Sequence, residues 1–224
     1  MSYRDKLQYL LVKKLNISNA LAKEIILSNM VLVNTENVCD NIVILETDTV
    51  FYNNEIIQIG KKLIYVALYK PRGIECTLNE KVDQNLSTII NFNEKLFPVG
   101  RLDKESEGLL ILTNDGNYFN KIINPASEVE KEYIVTVNKP IKEEFITEMS
   151  SGVEILGQIT LPCKLEKIDD FIFKIILVQG LNRQIRRMCF KLNYMVISLK
   201  RVRIGNVNLA NLQAGEYRTI NLEI

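Results

Sequence analysis

Arg101 and Asp103 are the charged side chains whose spacing first points to chemistry, because a single residue separates them in a turn that leads into an apolar run. In an extended backbone alternate side chains point to the same side, so both are expected to face one space. The run at 109–112 is continuous, apolar and followed by an Asp-Gly turn signal, which predicts a short strand buried on both faces. A carboxylate held on such a loop at the mouth of a sheet can serve as a base, a nucleophile or a ligand.

Asp103 also has two interpretations that involve no catalysis. The first is a turn aspartate, whose carboxylate accepts a hydrogen bond from the backbone two residues on. The second is a calcium loop, because Asp103, Glu105, Glu107 and Gly108 imitate the start of one. The twelfth position should carry a bidentate glutamate, but it is Asn114, and the residues before it are apolar. The spacing therefore excludes the calcium loop and leaves the turn and the catalytic carboxylate open.

A second group of charges comprises Arg183, Arg186 and Arg187, which are three or four residues apart. This spacing predicts one basic face of a helix over 180–192, with apolar residues on the opposite face. A solvated helix surface is the structural alternative. Because 171–215 contains no Asp or Glu, we expect a localised basic face even though the net charge is only +1. The cations of this window are Lys174, Arg183, Arg186, Arg187, Lys191, Lys200, Arg201 and Arg203.

The composition excludes several classes of site. Histidine is absent, which removes Ser-His and Cys-His pairs and His-ligated metals. The four cysteines are widely spaced without a CxxC motif, so we predict neither a zinc site nor disulfides and expect buried thiols. The chain is 47% apolar and 25% charged, no apolar run approaches the roughly 20 residues of a membrane span, and the N-terminus lacks a signal-peptide core. A cytoplasmic protein without a membrane partner is expected.

Residues 1–59 are predicted to form a separate small domain of two helices followed by short strands. Leucines recur at helical spacing before residue 16, and Ser18 is a candidate N-cap for a second helix with Leu21, Ile25 and Ile26 on one side. The segment 59–62 is short and lacks large side chains to pack, which predicts a linker. Strands of this domain are predicted at 31–33, 42–45 and 49–52.

Residues 60–224 are predicted to form a larger domain in which strands and helices are mixed. Runs of β-branched and aromatic residues indicate the strands, and two glutamates in a first turn after Pro140 indicate a helix. Strands are predicted at 63–69, 109–112, 131–137, 171–179 and 196–207. Helices are predicted at 117–123, 142–149 and 180–192.

Four motifs in this larger domain, in the expected order, resemble those of the pseudouridine synthases that modify ribosomal RNA. They are KPRG at 70–73, GRLD followed by GLLILTNDG at 100–116, KEY at 131–133 and GLNRQIRRM at 180–188. The similarity is greatest to members that act on the large-subunit RNA. The N-terminal domain resembles the S4 RNA-binding domain, although Ser18, Asn19 and Ala20 replace the usual Ser-Arg-Arg cluster, so we expect it to bind RNA weakly.

The resemblance implies roles for individual residues. Asp103 would be the catalytic carboxylate, Arg186 the basic residue that pairs with it, and Tyr133 the aromatic side chain against the target uracil. Leu199 would close the uracil pocket, and Arg101 would fill the gap left by the flipped nucleotide or brace its phosphates. The remaining RNA-binding residues implied are Arg183, Arg187 and Lys70, the last in an element that supports the catalytic loop.

The resemblance also implies the fold and the activity. The fold would be α+β, with an S4-like module before a mixed, largely antiparallel sheet flanked by helices. The activity would be isomerisation of one uridine of ribosomal RNA, with 23S rRNA favoured, by base flipping and an aspartate, with no metal or organic cofactor and with the enzyme acting as a monomer. The alternatives are a sister synthase acting on 16S rRNA or tRNA, and an RNA-binding ribosome assembly factor without catalysis.

Overall fold

The computed structural model describes residues 2–222 and divides the chain into two units, Met1–Leu63 and Ile64–Ile224. The segment 59–62 is held within the first unit. The Lys61 N–H donates to the Glu46 carbonyl at 2.7 Å, and the Gly60 N–H donates to Thr49 Oγ1 at 2.9 Å. A Cβ on Gly60 would lie 2.2 Å from the Thr47 carbonyl oxygen, so only glycine permits this close approach.

The first unit packs two helices against a four-stranded antiparallel sheet of order β2-β1-β3-β4. Ser18 accepts a hydrogen bond from the Leu21 N–H and caps the second helix, as predicted. The expected apolar face is shifted by one residue, because Ala22 is buried whereas Leu21 is 43% exposed. The elements are α1 Leu7–Leu15, α2 Asn19–Leu27, β1 Val31–Val33, β2 Glu36–Val38, β3 Val50–Tyr52 and β4 Glu55–Gln58.

Two further expectations for this unit were wrong. The apolar residues at 42–45 form no strand among the described residues, and Val43 makes only an isolated bridge to Lys6. Their side chains instead cover the helices, where Ile42 and Ile44 pack against the core. Cys39 is exposed rather than buried.

The second unit is a mixed α/β domain. Two short 3-10 helices of this unit, Leu86–Thr88 and Pro125–Ser127, lie between its longer helices and strands. Among the described residues, no helix of either unit is both long and apolar enough to cross a membrane. The helices are α3 Gly116–Ile123, α4 Glu143–Ser151 and α5 Gln184–Lys191. The strands are β5 Tyr65–Lys70, β6 Phe97–Pro98, β7 Glu107–Thr113, β8 Lys131–Val137, β9 Glu154–Ile155, β10 Gln158–Ile159, β11 Lys164–Asp169, β12 Ile172–Leu177, β13 Val196–Ile204, β14 Val207–Asn208 and β15 Tyr217–Thr219.

Nine of these strands form one sheet, of order β11-β12-β8-β13-β7-β5-β15, with β14 paired to β13 and β6 paired to β7. All pairs are antiparallel except β13 with β7. The predicted mixed, largely antiparallel sheet is therefore confirmed. The four residues at 109–112 of β7 are fully buried, as their continuous apolar run predicted.

The parallel pairing of β7 with β13 depends on Gly108. This residue has φ +103°, and a Cβ placed on it would lie 2.2 Å from the Arg201 carbonyl oxygen. Glycine is thus required both by the backbone angle and by the contact. Its absent side chain lets β13 approach the start of β7, directly after the loop that carries Asp103.

Apolar clusters lie against this sheet and fix the helices. The larger cluster buries Phe145 and Met149 of α4 together with Met188 and Cys189 of α5. A second cluster joins β5 and β7 to the segment between β5 and β6 and includes Leu86. The helix α5 is therefore anchored by its apolar side, which leaves Arg187 exposed and Arg186 half-buried.

Candidate active site

The loop that carries Asp103 is held at three points. At its start the Val99 N–H donates to the Ile111 carbonyl at 2.8 Å, and at its end the Ser106 N–H donates to the Asp103 carbonyl at 3.0 Å. Between them the Gly73 N–H donates to the Lys104 carbonyl at 2.8 Å. The KPRG turn thus lies directly against the Asp103 loop and supports it.

The carboxylate of Asp103 is directed away from its own turn. Its Oδ2 lies 3.9 Å from Arg183 Nη1, and its side chain is 29% exposed. Within residues 2–222 no backbone N–H of the loop donates to this carboxylate; the Ser106 N–H bonds the Asp103 carbonyl instead. The turn-aspartate interpretation therefore does not describe this side chain, which is left available to a bound molecule.

Arg183 reaches Asp103 because its backbone adopts a left-handed conformation, with φ +51° and ψ +32°. Such angles are uncommon for residues other than glycine, asparagine and aspartate. The helix begins only after it, at Gln184, so the prediction of helix from 180 was wrong and Arg183 is the N-cap. Buried Gln184 fixes the preceding turn, since its Oε1 accepts from the Leu181 N–H at 3.0 Å and its Nε2 donates to Gln179 at 3.3 Å.

Arg186 lies against the same loop but does not take the ion-pair position expected for it. Its Nη2 donates to the Glu105 carbonyl at 3.0 Å and to Ser106 Oγ at 3.3 Å, and its Nη1 donates to the Val196 carbonyl at 3.3 Å. The pKa of its guanidinium is lowered chiefly by burial and further by Arg183, whereas Asp103 raises it. Arg186 therefore joins the end of the Asp103 loop to the start of β13, while Arg183 supplies the nearest positive charge.

A cleft of about 400 Å³ opens beside Asp103. Tyr133 of β8 and Leu199 of β13 line it, the first half-buried and the second 7% exposed. Arg101 also lines the cleft and is exposed, so the two charged residues separated by one position do face one space. The cleft thus combines a carboxylate, an aromatic ring, an aliphatic side chain and cations.

Two further cations line the cleft that the sequence did not single out as site residues. Arg201 is 3% exposed; its Nε donates to the Leu109 carbonyl at 2.7 Å, and its Nη2 is buried without a partner among the described residues. Lys131 donates to the Val129 carbonyl at 3.0 Å, and its pKa is lowered by burial and then by Arg201. The K of the KEY motif was the only available signal for Lys131, and Arg201 was counted only among the cations of the expected basic face.

Lys70 is fully buried, although the sequence placed it among the RNA-binding residues. Its ammonium donates to the carbonyls of Pro71 and Ile74, each at 2.8 Å, and burial lowers its pKa. A side chain with no exposed surface cannot contact RNA, so that assignment was wrong. Its two hydrogen bonds instead stabilise the KPRG turn, which supports the Asp103 loop.

The basic face expected from the window 171–215 is smaller than its eight cations suggested. Arg201 is buried, Lys174 pairs with Glu166, and Arg203 pairs with Glu130 and Glu132 at 2.9 Å each. The acidic partners Glu130, Glu132 and Glu166 lie outside 171–215, so a count of charged residues within that window does not include them. The exposed cations that remain beside the cleft lie at the N-terminal end and on the outer side of α5.

The model of the RNA pseudouridylate synthase family matches residues 64–191, which include the Asp103 loop, Tyr133 and α5. The chain belongs to this family. The resemblance predicted from the sequence is thereby confirmed, and the matched residues include every candidate site residue except those of β13.

Named relatives and a solved structure give the same family. The chain is 48% identical over 175 residues to the dual-specificity RNA pseudouridine synthase RluF of Escherichia coli, covering 77% of this chain and 60% of that protein. It is 30% identical to the ribosomal small subunit pseudouridine synthase A of Haemophilus influenzae, covering 96% and 95%. A crystal structure of a pseudouridylate synthase superposes with a TM-score of 0.68 at 28% identity, covering 96% of both chains. The chain thus spans about 60% of the length of the RluF proteins that it matches.

Proposed function

We propose that this protein is a cytoplasmic, monomeric pseudouridine synthase that isomerises one uridine of large-subunit ribosomal RNA without a cofactor. The observation that carries the proposal is the carboxylate of Asp103. It is turned out of its own loop into a cleft that also presents Tyr133 and an arginine 3.9 Å away. Family membership supplies the reaction class.

The reaction breaks the N1 to C1′ bond of uridine, turns the uracil and rejoins it through C5. One carboxylate suffices as nucleophile or base, and we assign this role to Asp103. Arg183 places a positive charge beside this carboxylate, with its Nη1 3.9 Å from Asp103 Oδ2. Arg186 acts as a positioning residue, because its three hydrogen bonds fix the end of the Asp103 loop.

A uridine inside folded RNA must leave its stack before Asp103 can reach it. In the proposal Tyr133 offers the extruded uracil an aromatic face and Leu199 closes the pocket beside it. Arg101, which is exposed and lines the cleft, occupies the gap in the RNA or holds the flanking phosphates. Arg183 and Arg187 contact the RNA backbone.

Two relatives point to different ribosomal RNAs. A ribosomal large subunit pseudouridine synthase B of Bacillus subtilis is 32% identical over 165 residues, and the small-subunit enzyme of Haemophilus influenzae is 30% identical over 224 residues. The dual specificity in the name of RluF makes a second RNA substrate the alternative to test. We place the S4-like first unit in an auxiliary role in RNA binding.

The test is release of tritium from C5-labelled uridine in transcripts of large-subunit rRNA, small-subunit rRNA and tRNA, each assayed separately. We expect release from the large-subunit transcript and its loss in Asp103→Asn, with the far-ultraviolet circular dichroism unchanged. Release from another transcript alone would reassign the substrate. Binding of RNA without release from any transcript would refute the enzymatic proposal in favour of an assembly factor.

A further inference from the structure

A second groove lies next to the Asp103 cleft, between α5 and the hairpin formed by β9 and β10. It has a volume of about 430 Å³, within the range of ligand sites. Arg183 lines both the groove and the cleft, so the two are adjacent. None of the motifs used above explains why this groove exists.

Phe190 is the most unusual residue of the groove, because its side chain is 73% exposed on an otherwise basic surface. It follows Arg186 and Arg187 by four and three positions, so it continues their stripe along the outer side of α5. Across the groove, Leu156 at the hairpin tip is 54% exposed. A single exposed apolar residue is ordinary, but here an aromatic ring, an aliphatic residue and arginines line one concave site.

The hairpin that forms the far wall is firmly held. The Val153 N–H donates to Thr160 Oγ1 at 3.0 Å, and the Thr160 N–H donates to the Val153 carbonyl at 3.1 Å. Ile155 is 2% exposed and anchors the hairpin beside α5. The exposed Leu156 is thus presented by a fixed turn.

The groove is positively charged. Its lining contains Arg183, Arg186, Arg187 and Lys191 and no carboxylate. Arg187 is oriented by Asn182, whose carbonyl and Oδ1 accept from it at 3.1 Å and 3.2 Å. Within residues 2–222 neither Arg187 nor Lys191 forms an ion pair with an acidic side chain. Cations without acidic partners match a polyanion in charge.

We propose that this groove binds an unpaired nucleotide of the substrate RNA close to the target uridine. Its base stacks on Phe190 against Leu156, and Arg187 and Lys191 bind the adjoining phosphates. An aromatic face surrounded by cations is the arrangement that binds single-stranded nucleic acid without regard to sequence. The inference rests on the proposed function for the identity of the ligand, and it adds a second nucleotide site to the Asp103 cleft.

The chain contains no tryptophan, so Phe190→Trp places a single indole in the groove. The measurement is the tryptophan fluorescence of this variant, in an Asp103→Asn background that prevents turnover, as the large-subunit rRNA transcript is added. We expect saturable quenching, because a stacked base quenches the indole. The matched control is Tyr217→Trp, at a position 42% exposed on β15, which the strand order separates from β13 by β7 and β5; its fluorescence should not change.

Steady-state tritium release supplies an independent measurement. In Phe190→Ala we expect KM for the transcript to rise roughly five- to a hundredfold, the loss of one stacked base, with kcat changed less than about twofold. Phe190→Tyr should restore KM. Arg187→Gln and Lys191→Gln should each reduce the slope of log affinity against log salt by about 0.7.

The outcomes separate this inference from the proposed function. One outcome is that the wild type releases tritium, the indole of Phe190→Trp is not quenched, and the KM of Phe190→Ala equals that of the wild type. The groove then does not bind the substrate RNA, and a protein partner would be tested next. If that indole is quenched saturably while no transcript releases tritium, the groove stands as an RNA site and the catalytic proposal fails. Equal quenching in Phe190→Trp and Tyr217→Trp would overturn the inference, since RNA would then contact the surface indiscriminately.

Discussion

Replacement of Gly108 by alanine tests how much stability depends on the close approach of β13 to β7 beside the candidate active site. The added Cβ would lie 2.2 Å from the Arg201 carbonyl oxygen and 2.7 Å from its amide nitrogen, both rigid backbone atoms. The strands must separate by about 1 Å to bring these atoms towards an ordinary van der Waals distance. The parallel pairs Lys200 with Glu107 and Arg201 with Gly108 lie at that point and would be lost or lengthened.

The loss in free energy of unfolding is the sum of the backbone strain and the disrupted hydrogen bonds. A side chain at φ +103° costs about 1–3 kcal/mol, since this region is nearly restricted to glycine. Each disrupted backbone hydrogen bond adds about 0.5–1.5 kcal/mol. With one such bond lost at each of the two parallel pairs, the sum is about 2–6 kcal/mol, a large part of the roughly 5–15 kcal/mol that stabilises a typical domain. For a unit of this size it corresponds to a fall in Tm of about 4–24 °C.

The assay is thermal and urea unfolding of Gly108→Ala beside Gly116→Ala, a matched control from the same motif. Gly116 is exposed at the start of α3, its φ is not positive, and a Cβ there meets nothing within 4 Å. We expect Gly116→Ala to be neutral or up to about 1 kcal/mol more stable. A Tm for Gly108→Ala within about 2 °C of the wild type, or an equal loss in both variants, would refute the reasoning.

Three further changes test other parts of the structure. Arg186→Gln removes the three hydrogen bonds by which Arg186 joins the Asp103 loop to β13. We expect nearly complete loss of tritium release with unchanged circular dichroism. Near-wild-type turnover would contradict this expectation. Burial and a hydrogen bond to Glu107 raise the pKa of Tyr69 from 10.0 to about 12. The stability that this hydroxyl contributes is therefore full below pH 10 and lost as the pH rises towards 12. In urea unfolding, the free energy of unfolding of Tyr69→Phe should fall less between pH 10 and pH 12 than that of the wild type. Removal of the first unit, whose residues 1–60 hold five basic and seven acidic side chains, should weaken rRNA binding less than about tenfold in a filter-binding assay.

The elements predicted correctly are those whose local pattern agrees with their environment. The apolar run of β7 is buried on both faces, and the outer arginines of α5 alternate with buried Met188 and Cys189, so periodicity alone located both. Ser18 and the paired glutamates of α4 likewise act within one helical turn. The Asp103 loop was located by its motif, since loop geometry has no periodicity from which to predict it.

The errors arose where specific hydrogen bonds and packing override the pattern of residue types. Arg201 was counted among the cations of an exposed basic face, but β13 lies between β8 and β7 in the sheet, and Arg201 is 3% exposed with its Nε donating to the Leu109 carbonyl of β7. Arg183 fits a helical pattern, yet the hydrogen bonds of Gln184 fix the preceding turn, so the helix begins only at Gln184. The side chain of Arg183 is thereby directed to Asp103. Lys70 is polar by type and buried by context, because two carbonyls of its own turn satisfy its ammonium. Burial of this kind is set by the tertiary packing around a residue and leaves no trace in the local pattern.

In the proposed function, the distribution of cations determines where RNA binds the second unit. Arg201 is buried and Arg203 is neutralised by two glutamates, so two of the three cations of β13 contribute little positive charge to the outer surface. The available charge lies instead on α5, in Arg187 and Lys191, and continues through Arg183 to the Asp103 cleft. Since phosphate contacts fix the register of a nucleic acid, the order of these side chains would orient the RNA with its flipped nucleotide at the cleft and its neighbour beside Phe190.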